Sequence, residues 1–206
     1  MNDVVEKDNE SLIKGIVAIG AVIAIVVIGM GVYSGQKEDA RVELANNLYK
    51  FSESEFKEFK DGKRPASSIV KKFKTIVEDS MDKSSAVVPG IEIADELYEK
   101  ASYAEASEVL KILTESTSDQ LALNFVYTRY ATSLEQTGKN KEAIDALQKV
   151  LQLKRPLYKE KVYFDLARLY FASGDKDKAK ASLDYVLKES KDETLLGLSR
   201  VFLEKI

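Results

Sequence analysis

The side chains able to move protons or attack a substrate in this chain are limited to carboxylates, lysines, serines and tyrosines. There is no His and no Cys. The chain therefore lacks an imidazole acid/base, a thiol nucleophile and the usual ligands of a zinc site. Its 34 acidic and 31 basic side chains are scattered and leave a formal charge of −3. Carboxylate pairs such as Glu53 and Glu55 fall on a polar helix face that implies no cleft. No catalytic, cofactor-binding or metal-binding residue is assigned, and the chain reads as a non-enzyme with no small-molecule substrate. No basic stripe offers itself to phosphates, which argues against nucleic acid as a partner. Without Cys there are no disulfides, and the redox compartment stays open.

The elements that must position any binding residues are helices. Only 3 Pro and 10 Gly interrupt 206 residues, and the apolar spacing is helical almost throughout. An all-α chain is expected, with an N-terminal single transmembrane helix followed by an α-solenoid of helix hairpins.

From Gly15 to Tyr33 runs GIVAIGAVIAIVVIGMGVY, without one charge. At ~1.5 Å per residue this spans roughly 28 Å, close to the hydrocarbon thickness of a bilayer. Its many Ile and Val residues favour insertion by roughly 3 to 6 kcal/mol before the glycines are discounted. Residues 15–33 are therefore expected to cross the lipid bilayer, preceded by a short tail at 1–14. A cleavable signal peptide is the rival reading, with a cut before Gly35 after the small residues Val32 and Ser34. The apolar run exceeds the usual length of about 7–15 residues for such a peptide, and the tail carries Asp3, Glu6, Asp8 and Glu10, so an uncleaved anchor is expected. Gly20 and Ala24, four apart, are a small-residue pair of the kind that packs membrane helices. Basic residues are balanced across the span, so charge alone sets no orientation.

Residues 36–86 read as a helical stalk and first hairpin. Ala40, Leu44, Leu48 and Phe51 recur at helical steps, with Phe56 and Phe59 extending the face. Asp61 to Pro65 reads as a turn. A second helix follows, with Ile69, Val70, Phe73, Ile76, Val77 and Met81 on one side, then a polar loop from Asp82 to Gly90.

Residues 87–191 carry an internal repeat. GKNKEAIDALQKVL from Gly138 aligns with GDKDKAKASLDYVL from Gly174, placing Ala143, Leu147 and Val150 in register with Ala179, Leu183 and Val186. A third, earlier copy has Ala101 in place of Gly, then Ala106, Leu110 and Leu113. Its Gly90 stands where an aromatic is expected, which predicts a short first helix. Small Ala residues let paired helices approach closely while larger apolar ones fill the neighbouring holes. Such a hairpin cannot bury its own apolar face, so hairpins stack. Tyr127, Tyr130, Tyr163 and Tyr170 fall at core positions of this pattern. Residues 192–206 suit a capping helix with Leu195, Leu198 and Phe202 on one face.

These residues resemble tetratricopeptide repeats. The whole layout of acidic tail, single span, stalk with Ala45-Asn46-Asn47-Leu48-Tyr49 and repeats is similar to the YfgM family. That resemblance implies a bacterial inner-membrane protein with a cytoplasmic N-terminus and a periplasmic C-terminal domain. It also implies an ancillary role at the SecYEG translocon, with PpiD-like chaperones or secreted clients as partners. A repeat scaffold for assembly of another membrane complex, with a cytosol-facing domain left open, is the alternative.

In such repeats the first helix of each hairpin lines a concave surface. Phe125, Thr128, Thr132 and Glu135, then Phe164, Arg168 and Phe171, are expected to face it as a protein-binding groove. Aromatic and Arg side chains are the usual anchors of protein interfaces. The bland reading is that these rings pack against the next helix. The groove lacks the Lys and Asn pattern by which chaperone-binding repeats grip a terminal carboxylate.

Overall fold

Helices follow one another through short connections in the computed structural model, which describes the backbone of residues 2–206 and the side chains of residues 26–206. Helix α1 runs unbroken over Asn2–Phe51. The tail at 1–14 and the start of the expected span, 15–25, fall outside the described side chains. Over the rest of that span, Val26, Val27, Ile28, Met30, Val32 and Tyr33 are all exposed. Among the described residues, no helix is long and apolar enough to cross a membrane.

Among the described residues, the buried face of α1 begins at Leu44 and continues through Leu48 and Phe51. The next apolar residue is Phe56, five positions on, which is out of step with a 3.6-residue turn. The backbone absorbs the difference by widening into a π-helical turn over Ser52–Phe56. Ser54 Oγ donates to Lys50 O at 2.7 Å within it. That extra residue per turn brings the Phe51 and Phe56 rings to 6.3 Å and keeps Phe56 and Phe59 at 6.2 Å. The expected continuous helix to Phe59 is therefore three pieces, the last being α2 over Lys57–Lys60.

Helix α3, Ala66–Glu78, buries Ile69, Val70, Phe73 and Val77 against this face. Met81, expected on the same side, lies beyond the helix end and is exposed. The expected loop to Gly90 is also shorter. After one 3₁₀ turn at Ser84–Ala86, helix α4 spans Val87–Glu99 and contains Pro89 and Gly90. Pro89 sits in the first turn, where its missing N–H has no helical partner to lose. Gly90 lets three helices meet, since a Cβ there would lie 2.6 Å from Leu113 and 2.8 Å from Phe73.

Six further helices complete the chain. They are α5 (Tyr103–Ser116), α6 (Gln120–Gln136), α7 (Asn140–Gln152), α8 (Lys159–Ala172), α9 (Lys176–Glu189) and α10 (Glu193–Leu203). From α4 onward each packs chiefly on its neighbours in sequence. Two buried clusters result. One joins α1 to α6 through residues such as Phe73, Leu97 and Val126, and the other joins α6 to α8 through Leu134, Leu147 and Leu166. The repeat alanines Ala106, Ala143 and Ala179 are fully buried. Tyr127, Tyr130, Tyr163 and Tyr170 pack half-buried along the second cluster. The last helix keeps Leu195 and Phe202 of its expected face half-buried, but its most buried side is shifted by a step. It buries Leu196 and Ser199, while Leu198 is exposed.

Every hairpin turns in one way. A residue with positive φ follows the first helix at Gly62, Ala101, Gly138 and Gly174. At Gly138 its N–H donates to Glu135 O at 2.9 Å while the next N–H, of Lys139, donates to Leu134 O at 3.0 Å. The same two bonds recur at the other three positions, which is the Schellman way of ending a helix. Ala101 holds φ 58° where glycine takes 74° and 83° in the later repeats. A left-handed L-residue costs about 1–2 kcal/mol, partly offset by glycine's larger unfolded freedom. Ala101→Gly should raise stability by up to about 1 kcal/mol, and Gly174→Ala should lower it by a similar amount. Denaturation midpoints at unchanged m-value check this, and two unmoved midpoints would refute the role given to these turns.

Candidate protein-binding groove

The first helices α4, α6 and α8 line one face, and ion pairs tie them side by side. Arg129 of α6 reaches Asp95 of α4, with Nε 2.8 and 3.2 Å from the two carboxylate oxygens. Arg168 of α8 grips Glu135 of α6 through two nitrogens at 2.7 and 3.2 Å. It also donates to Asp165, one turn away, at 3.1 Å. Burial works against the Arg168 charge, but the Glu135 and Asp165 carboxylates outweigh it and push its pKa above the ordinary guanidinium value. Both arginines stay partly exposed, so these pairs fix geometry more than they add stability.

Two small cavities open on this face. One of about 180 Å³ lies between α4 and α6, lined by Asp95, Tyr98, Thr128, Arg129 and Thr132. Another of about 200 Å³ lies between α6 and α8, lined by Phe125, Thr128, Leu157, Tyr158, Lys161 and Val162. They meet at Thr128 and Arg129. The hydroxyls of Thr128 and Thr132 donate back to their own helix, to Asn124 O at 2.7 Å and Thr128 O at 3.0 Å. Those hydroxyls are therefore already paired within α6. A larger cavity of about 350 Å³ between α1 and α3 has charges of both signs, Lys50, Glu55, Lys72 and Asp79, and its one ring, Phe51, is buried.

The seven residues named from sequence divide three ways. Phe125, Thr128 and Thr132 line the two cavities. Glu135 and Arg168 are brought together on each other. Phe164 and Phe171 are half-buried against Phe202 of α10, at ring distances of 6.3 and 5.3 Å. The C-terminal helix thus occupies the rings of α8, and the aromatics left free are Phe125, 39% exposed, and Tyr158, 72% exposed.

Tyr158 and Leu157 went unnamed in the sequence reading because they belong to the connection between α7 and α8. Buried Asn124 shapes that connection. Its amide donates to Gln120 O at 2.7 Å and Arg155 O at 3.1 Å, and its carbonyl accepts from Leu157 N–H at 2.7 Å. Gln120 Oε1 accepts from Lys154 N–H at 3.0 Å. With its path held, the connection delivers Tyr158 at φ 51° as the cap of α8. The available signal was an Asn beside the apolar positions Leu123 and Val126, since a buried amide must find partners. Asp95, Tyr98 and Arg129 were likewise missed, because a pairing 34 residues apart leaves no local mark.

The tetratricopeptide repeat family model matches residues 134–198. Among solved structures the chain is similar to a crystal structure of MamA protein, 17% identical over 77% of this chain and 85% of that one, with a TM-score of 0.52. A second crystal structure of MamA is 18% identical over 72% and 85%, with a TM-score of 0.50. The type III secretion translocator chaperone SycD of Yersinia enterocolitica is 16% identical over 65% and 97%, with a TM-score of 0.50. No curated protein matches. At such identities the likeness concerns the fold, and the repeat match agrees with it. The chain is a tetratricopeptide-type α-solenoid, a fold that presents an extended surface to protein partners.

Asn124→Ala should strand the Leu157 N–H and cost about 1–3 kcal/mol. It should also speed hydrogen exchange at Leu157 while leaving exchange in α9 unchanged. Equal protection of Leu157 in both proteins would mean that the connection holds its own shape.

Proposed function

We propose that this chain is a non-enzymatic, membrane-anchored interaction protein that uses the groove across α4, α6 and α8 to hold protein partners. By the YfgM-like layout, it is an ancillary subunit of the SecYEG translocon and periplasmic chaperone network in the bacterial inner membrane. Its N-terminus is cytoplasmic, its repeats are periplasmic, and its partners are PpiD-like chaperones or newly translocated chains. The observation that carries this reading is the free aromatic pair Phe125 and Tyr158 beside an open apolar cavity. Free rings next to small pockets are where interfaces place their anchors. The likeness in fold to a translocator chaperone supports the same class of role. The anchor rests on the uncharged sequence at 15–33 and on the exposed apolar residues from Val26 to Tyr33.

Two measurements test this. Protease added outside right-side-out vesicles should remove the repeats and leave a membrane-embedded fragment. A protected C-terminal domain would replace this reading with a cytosolic scaffold. Phe125→Ala in the full chain should reduce co-purified translocon or chaperone by several-fold, as loss of an anchor worth more than about 1 kcal/mol requires, with circular dichroism unchanged. Undiminished recovery would remove the groove from the interface. Phe164→Ala and Phe171→Ala differ, since they loosen α10 and should lower the melting temperature first.

A further inference from the structure

The connection beside the cavity between α6 and α8 carries more unpaired positive charge than negative. Two acidic residues that line this face are held in ion pairs. Asp165 pairs with Lys161 at 2.8 Å and with Arg168, and Asp95 pairs with Arg129. Asp119 caps α6 by accepting from Ala122 N–H at 2.8 Å. The connection that delivers Leu157 and Tyr158 reads LKRPLYKEK from Leu153 to Lys161. Its Lys154, Arg155 and Lys159 are exposed, and among the described residues none lies within ion-pair distance of a carboxylate. Glu160, the one acid of this stretch, is half-buried. Asn124 holds the backbone of the connection beside the cavity, and these exposed cations extend from it.

The cavity also limits what can enter it. About 200 Å³ is below the range of roughly 300–1,000 Å³ typical of small-molecule sites. It suits one large apolar side chain set between rings. The nearest side-chain amide, Asn124, spends its donors and its acceptor inside the protein. That leaves a mainly apolar pocket, which takes an uncharged side chain of an internal segment rather than a charged chain end.

We propose that this cavity binds an acidic internal segment of a partner protein. One apolar side chain lodges against Phe125, Leu157, Tyr158 and Val162, and flanking Asp or Glu residues face Lys154, Arg155 and Lys159. The apolar contact supplies hold, and the three cations supply selectivity and faster encounter. This rests on the groove being the partner surface and narrows the partner to one charge class.

The test uses the full chain in detergent with three labelled synthetic peptides blocked at both ends. The first has a central Leu-Phe flanked by glutamates, the second has lysines in place of the glutamates, and the third keeps the glutamates around Ala-Ala. The glutamate Leu-Phe peptide should bind about tenfold or more tighter than either other peptide, and its affinity should fall with added salt. The exposed triple change K154E, R155E and K159E should reverse the preference while circular dichroism stays the same. Phe125→Ala should weaken all Leu-Phe binding and leave the sign of the charge preference intact. Equal affinity for the glutamate and lysine peptides, a preference that survives the triple change, or no measurable binding by any peptide overturns the proposal. Co-purification by Phe125→Ala is scored separately, so a groove that holds its partners without preferring acid remains distinguishable from a groove that holds nothing.

Discussion

The turn at the end of each first helix is the constraint on which the rest of the molecule depends. Four times the chain leaves a helix through a left-handed residue, at Gly62, Ala101, Gly138 and Gly174, with the same two backbone bonds closing it. That geometry sends the second helix back along the first. It satisfies carbonyls that would otherwise be stranded at the helix end. Antiparallel pairing then brings Ala106, Ala143 and Ala179 into the buried contact, where the absence of a longer side chain lets the helices close. Without a common turn the pairs would not share one handedness, and no continuous face of first helices would form.

Stacking the pairs leaves those first helices parallel and adjacent, and polar side chains set how they stand. The Asp95–Arg129 and Glu135–Arg168 pairs bridge successive first helices at spacings of 34 and 33 residues. That is close to the repeat length, so each link joins equivalent rows. Half-exposed pairs of this kind contribute little net energy, but an arginine held on both carboxylate oxygens restricts sliding and rotation. The cavities lie between the bridged helices, with Thr128 and Arg129 shared by both. Groove shape and groove chemistry are therefore coupled through the same arginines.

Departures from the repeat are where binding features concentrate. The connection between α7 and α8 is longer than those leading into α6 and α10, and Pro156 within it cannot continue a helix. Buried Asn124 turns this irregular stretch into a fixed one and sets Tyr158 at the groove edge. Gly90 is a second departure. It replaces the expected aromatic because Phe73 and Leu113 already fill that space. The first hairpin, built from the end of α1 and from α3, thereby joins the solenoid as part of one core.

Much of this was present in the one-dimensional pattern. The missing His and Cys removed whole classes of chemistry, and the Gly-to-Val register from Gly138 and Gly174 gave the hairpins. Local backbone rules act on neighbouring residues, so such features survive in sequence. Helix phase does not. The five-residue step from Phe51 to Phe56 required a π turn, and α10 settled on Leu196 and Ser199 rather than Leu195 and Leu198. Phe202 of α10 packs onto Phe164 and Phe171, while Phe125 stays free. All three rings look alike in sequence, each on a first helix at an outward position. Which of them is core and which is surface depends on what packs beyond the last repeat, and that is fixed only when distant helices meet.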